Sequence, residues 1–146
     1  MKMHLNLATR DLDRSVAFYS TLLGAAPAKR LDDYALFITE EPGLELALDL
    51  DSDVVPGRGQ HFGIVVDSTD AVDAQIARLE SAGYATDVER DETCCYAVQT
   101  KVWANDPDGH RWETYVVHEE SETRDGADGT CCSLDAAGTC VATCCE

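Results

Sequence analysis

The two halves of this chain share one grammar, and that repetition limits the folds open to it. Near the start His4-Leu5-Asn6-Leu7 alternates like a half-buried strand, and Leu12, Val16, Tyr19 and Leu23 then recur at helical spacing until Gly24 ends the turn. The same order returns later. His61-Phe62-Gly63-Ile64-Val65-Val66 reads as a strand, Ser68 or Thr69 can cap a helix, Val72, Ile76 and Leu79 form its buried stripe, and Gly83 closes it. Short strands follow each helix. Tyr34-Ala35-Leu36-Phe37 is matched by Tyr96-Ala97-Val98-Gln99, and Pro42-Gly43-Leu44-Glu45-Leu46-Ala47 by Asp108-Gly109-His110-Arg111-Trp112-Glu113. The offset grows from 57 (His4 to His61) through 59 (Gly24 to Gly83) and 62 (Tyr34 to Tyr96) to 66 (Gly43 to Gly109), a drift in one direction that small insertions explain. The expected fold class is therefore α+β. Two βαβββ modules, about 1–52 and 58–118 of a domain 1–118, should form a curved, partly open mixed sheet whose concave face is a ligand cup.

With 146 residues, 45% of them hydrophobic, the chain suits one domain with an appendage and can bury a core without disulfide staples. Its 28 acidic residues against 11 basic ones give a formal charge of −17, which argues against any partner held through phosphates, whether nucleic acid or anionic membrane. Lysine occurs only at Lys2, Lys29 and Lys101, a pattern that favours an acidic solvated face suited to high salt. No segment reaches the ~20 apolar residues of a membrane helix, and Met1-Lys2-Met3-His4-Leu5 lacks the apolar stretch of a signal peptide, so a cytoplasmic protein is expected. From Glu119 onward the sequence is polar and Gly-bearing, and residues 119–146 read as a flexible, disordered Cys-rich tail.

Period-2 alternation decides which side chains share the cup. His4 and Asn6 point opposite to Leu5 and Leu7, while His61 and Gly63 point opposite to Phe62 and Ile64. Glu113 and Tyr115 share a face against Trp112, Thr114 and Val116. Two imidazoles in matching positions of the two repeats, with one carboxylate, form a three-ligand set that leaves coordination positions open, as non-haem Fe(II) requires if it is also to bind O₂. Tyr115 would stand beside those ligands. The repeat partner of Glu113 is Ala47, so no fourth symmetric ligand exists, although Glu45 lies two residues earlier on the same face. His110 and His118 read as a turn residue and a strand-end residue.

Seven cysteines are present, and their number is odd. Neighbouring Cα atoms lie ~3.8 Å apart, below the ~4.4 Å lower edge usual for disulfides, so the adjacent pairs read as thiols that remain thiols. Cys94-Cys95 falls within the folded part, after Glu89-Arg90-Asp91-Glu92-Thr93, which reads as a loop. Adjacent side chains on a regular strand diverge, so both sulfurs can grip one atom only if the backbone there is irregular, and the atom they prefer is soft and thiophilic. The tail adds Cys131, Cys132, Cys140, Cys144 and Cys145, further candidate ligands for soft ions, with no histidine among them and no zinc-finger spacing.

Taken together, the two βαβββ units with His4, His61 and Glu113 resemble the vicinal oxygen chelate superfamily of glyoxalases, extradiol dioxygenases and fosfomycin-resistance enzymes, over about residues 1–118. The run Asp91-Glu92-Thr93-Cys94-Cys95-Tyr96-Ala97-Val98-Gln99, followed by Lys101-Val102-Trp103 and Asp106-Pro107-Asp108-Gly109, is similar to the carbon–arsenic lyase family, also described as cadmium-inducible proteins. That resemblance implies an Fe(II)-dependent dioxygenase, with O₂ as co-substrate. It would cleave the carbon–arsenic bond of trivalent organoarsenicals such as methylarsenite or reduced aromatic arsenicals and release arsenite. His4, His61 and Glu113 would hold iron and Cys94 with Cys95 would capture arsenic, in a monomer or a homodimer. Two other readings stand beside it: a resistance protein that binds cadmium or arsenite without turnover, and an extradiol-type dioxygenase acting on a catechol, which has no use for the cysteine pair.

Overall fold

Each half of the chain folds on the same plan. In the computed structural model, residues 2–55 and 61–123 are described in full, together with the backbone of residues 132–134 and 140–142. The first module runs β1 (Met3–Thr9), α1 (Leu12–Leu23), β2 (Lys29–Arg30), β3 (Tyr34–Thr39) and β4 (Leu44–Leu50); the second runs β5 (His61–Val65), α2 (Thr69–Ser81), β6 (Asp87–Cys94), β7 (Ala97–Asn105) and β8 (Arg111–Glu120). The sheet orders, β1-β4-β3-β2 and β5-β8-β7-β6, are identical once the modules are superposed in sequence. In both, the first strand pairs parallel with the last and the remaining pairs are antiparallel, so each sheet is mixed. No helix among the described residues is long and apolar enough to cross a membrane.

Local chemistry sets the helix limits. Asp11 caps α1 by accepting from the Arg14 amide at 3.0 Å, and Gly24 ends it at φ 62°, a left-handed conformation that glycine adopts without steric cost. Ser68 caps α2 through the Ala71 amide, and Gly83 follows it at φ 83°. The helices cover one side of the sheets, α1 on β3 and β4, α2 on β7 and β8. Phe18, Tyr19, Phe37, Leu46, Leu48, Val72 and Leu79 are buried in the single core that results. A side chain ties the helices together, Gln75 Nε2 donating to the Leu22 carbonyl at 2.9 Å. The other side of the sheets is thereby left to form the cup.

The Asp106-Pro107-Asp108-Gly109 turn is a clasp. Asp106 Oδ1 accepts from the amides of Asp108 and His110, while its Oδ2 accepts from the Tyr19 hydroxyl at 2.7 Å and lies 2.8 Å from His110 Nδ1. Trp112 Nε1 donates in turn to the Tyr19 oxygen. Arg10 grips the far end through Asp108 Oδ1 at 2.9 Å. Burial and the Asp106 charge push the Tyr19 phenol well above its ordinary pKa, which keeps it a donor. Hydrogen bonds to charged groups contribute about 1.5–3 kcal/mol, so Tyr19→Phe should lower stability by that amount in urea unfolding while sparing metal and thiol chemistry.

One feature departs from the sequence reading. Residues 89–93 are not a loop: they lie in β6, which pairs with β7 through a register shift between Glu89 and Glu92, with Asp91 at φ 52°. A charged edge strand carrying a bulge lacks the apolar alternation that would reveal it. Strand β8 continues to Glu120. Beyond it, β9 (Cys132–Leu134) and β10 (Cys140–Ala142) pair antiparallel. Cys131, Cys144 and Cys145 lie outside the described residues, as does most of the segment 119–146.

Candidate active site

Cross-strand register assembles the helix-free face of the second sheet. Gly63 stands opposite Glu113, Glu113 opposite Trp103, and Trp103 opposite Asp87. One step along, Tyr115 faces Lys101 and Lys101 faces Glu89. Paired residues project to the same side, so this face carries three carboxylates, an ammonium and two aromatic rings in one patch.

At its centre Glu113 is buried, and its two oxygens have different neighbours. Oε1 lies 3.6 Å from His61 Nε2, and Oε2 accepts from Lys101 Nζ at 3.0 Å. Gly63 makes room for that arrangement: a Cβ there would meet Glu113 Oε1 at 3.2 Å and the Tyr115 ring at 3.0 Å. The His61 ring packs edge-on against Trp103, centroids 5.3 Å apart, and Trp103 Nε1 donates to Glu89 Oε1 at 2.9 Å. Burial raises the Glu89 carboxyl above its ordinary pKa, against the Trp103 hydrogen bond and the Lys101 charge. Burial pulls the Lys101 ammonium down, but the charge and hydrogen bond of Glu113, helped by Cys94 and Glu89, outweigh it and leave the pKa raised.

His4 stands apart. Its exposed ring lies 3.9 Å from Glu45 Oε2, its cross-strand partner, and among the described residues no three or more His, Cys, Asp or Glu side chains come close enough to hold a metal. The structure thus joins His61 with Glu113 but leaves His4 on the neighbouring edge. That edge, β1, makes no hydrogen-bonded ladder with β5. Between them lies a cavity of about 290 Å³, lined by Met3, Leu5 and Leu44 on one side and by His61, Phe62, Gly63 and Ile64 on the other.

The thiols occupy the β6–β7 hairpin. Cys94 ends β6 and is buried; Cys95 and Tyr96 form the two-residue turn at φ 55° and 66°, and Cys95 is exposed. Two positive-φ residues in succession give a type I′ turn, normally filled by Asn and Gly because other residues pay about 1–2 kcal/mol there. This turn swings two adjacent side chains to the same side, with sulfurs 3.3 Å apart. The Gln99 amide donates to the Cys94 carbonyl at 3.0 Å and fixes the base of the hairpin. Tyr115 lies beside Glu113, with its ring 5.7 Å from Lys101 Nζ. His110 belongs to the clasp, and His118 Nε2 lies 2.9 Å from Thr100 Oγ1.

Sequence reasoning overlooked Lys101, Trp103, Glu89 and Gly63. The signal for Lys101 was available: it is one of three lysines, inside an apolar run and two residues from a Trp on the same face.

Residues 3–114 match the model of the Glyoxalase/Bleomycin resistance protein/Dioxygenase superfamily. The chain is 36% identical over 143 residues, covering 98% of both chains, to a probable trivalent organoarsenical cleaving enzyme of Bacillus subtilis (strain 168). To the cadmium-induced protein CadI of Mycobacterium bovis it is 41% identical over 141 residues, covering 90% of this chain and 92% of that one. The crystal structure of a glyoxalase/bleomycin resistance protein/dioxygenase from Alicyclobacillus acidocaldarius superposes with a TM-score of 0.66 at 23% identity, over 82% of this chain and 92% of the other. The repeated βαβββ plan, the cup and these matches agree: the chain belongs to the glyoxalase/bleomycin resistance protein/dioxygenase superfamily, among its organoarsenical-cleaving and cadmium-induced relatives.

Proposed function

We propose that this protein is an Fe(II)-dependent dioxygenase that cleaves the carbon–arsenic bond of trivalent organoarsenicals and releases arsenite. The observation that carries this reading is the thiol pair: two sulfurs 3.3 Å apart, on a turn held by strands on both sides. A trivalent arsenical carrying two hydroxyls condenses with two thiols, forming two As–S bonds and releasing two waters. The single organic substituent is then the only group left to orient. Binding of this kind turns an encounter into a positioned reaction. Methylarsenite is neutral, so the charge of −17 does not repel it.

Two of the three residues proposed for iron meet in the structure. An imidazole and a carboxylate converge, a glycine keeps the space beside the carboxylate clear, and a second imidazole stands on the facing edge strand. His61, Glu113 and His4 would hold the ion. When bound, the metal supplies oxygen activation that side chains cannot. The protein supplies the rest. Cys94 and Cys95 bind and aim the arsenical, and Trp103 and Tyr115 wall the cup beside His61 and Glu113. For methylarsenite, one O₂ balances the conversion to formaldehyde and arsenite, with both oxygen atoms retained in products.

The test is release of inorganic arsenite from methylarsenite by purified protein given Fe(II) anaerobically and then air. More than one equivalent per chain supports the enzyme; stoichiometric binding without release overturns it in favour of a sequestering protein. Activity on catechols that survives Cys94→Ser and Cys95→Ser would instead support the extradiol reading. The origin of His4 has its own test. When inactive His4→Ala and His61→Ala proteins are mixed, recovery of activity shows that His4 of one copy serves His61 of another, and no recovery shows that both come from one chain.

A further inference from the structure

Lys101 is only 3% exposed, and nothing about stability explains it. Burying an ammonium costs several kcal/mol before pairing, and a well-packed apolar residue of similar volume usually serves the fold as well or better. Its neighbours suggest what it does. Nζ donates to Glu113 Oε2 at 3.0 Å, while Glu113 Oε1, the other oxygen of the same carboxylate, is the one turned to His61. Trp103 and Tyr115 flank the ammonium at 5.2 and 5.7 Å, which limits the positions it can take. Gln99, two residues earlier on the same face of β7, holds the Cys94 carbonyl, so one strand face connects the thiol hairpin to the carboxylate.

We propose that Lys101 is a positioning residue: by occupying Glu113 Oε2 it leaves Oε1 alone to face the metal, so that the carboxylate binds through one oxygen and the open coordination positions stay open. This rests on the reading of Glu113 as a metal ligand. A carboxylate released from Lys101 could turn and bind through both oxygens, closing a position that the reaction needs.

The experiment uses Co(II) as a visible-light probe of the full-length protein, alongside turnover of the Fe(II) form. Lys101→Met should bind Co(II) with a loss of visible absorption intensity, as coordination number rises. Its kcat should fall about 10–100-fold, the usual cost of removing a partner from a metal ligand, with KM for methylarsenite unchanged because both thiols remain. Lys101→Gln, neutral but polar, should show the same two changes and serves if the Met variant does not fold. Lys101→Arg, which keeps the charge, should recover the wild-type spectrum. Spectra and kcat like wild type in the Met and Gln variants would overturn the role of Lys101 alone. Wild-type protein that takes up no Co(II) would overturn the metal reading beneath it.

Discussion

Cys94→Ser is expected to abolish arsenical capture while leaving the iron site loaded. With both sulfurs present, the second As–S bond closes within the protein, and an intramolecular second attachment strengthens binding by about 10²–10⁴-fold over one alone. The hydroxyl of serine cannot replace a thiolate on a soft centre. Titration with methylarsenite should therefore show affinity reduced by that factor, with Fe(II) content unchanged. Cys95→Ser should do the same despite its exposure, since either loss leaves a single attachment. If the Cys94 variant turns over at the wild-type rate, the clamp is wrongly placed.

The second large effect is expected at Glu113, where one substitution should damage both chemistry and fold. Glu113→Ala removes a proposed iron ligand and leaves the Lys101 ammonium buried without its partner. Breaking a buried ion pair from one side costs about 3–5 kcal/mol. Urea unfolding should register that loss, and metal analysis should find no stoichiometric iron. Glu113→Gln should separate the two effects, keeping volume and an oxygen that can accept from Lys101, so that more stability survives while iron is still lost. Alkali gives a further check. Because the folded Lys101 pKa is raised, the stabilisation by its charge is present in full below the ordinary lysine range and is lost as pH climbs through the raised value. In Glu113→Ala that alkaline loss should be smaller. Equal stability of the wild-type and Ala proteins near neutrality would contradict this account.

The fold was legible because apolar spacing reports the side of each element that meets the core. His4 and His61 each lie within the first two residues of their strands, and β1∥β4 and β5∥β8 pair them with Glu45 and Arg111, which also correspond in the repeat. Strand β6 was not legible, since an edge strand rich in Asp and Glu shows no alternation. Within the candidate site, the backbone was legible where rare residues stand side by side. The adjacent cysteines announced an irregular backbone, and the structure has one, at positive φ. Lys101 and Gly63 act through contacts with residues 12 and 50 positions away along the chain, Lys101 with Glu113 and Gly63 with Glu113, and no local pattern encodes such contacts. The separation of His4 from His61 and Glu113 is likewise a property of how two sheets meet, which the spacing within each sheet leaves open.

Unequal burial of the two sulfurs gives the proposed clamp a direction. Cys95 stands at the doorstep and Cys94 inside, so a guest from solvent must be handed inward, and its organic arm turns toward the cup only once the inner bond closes. In the proposed reaction arsenite would retrace that path and leave the outer sulfur last, so that a single surface atom would serve as both entrance and exit.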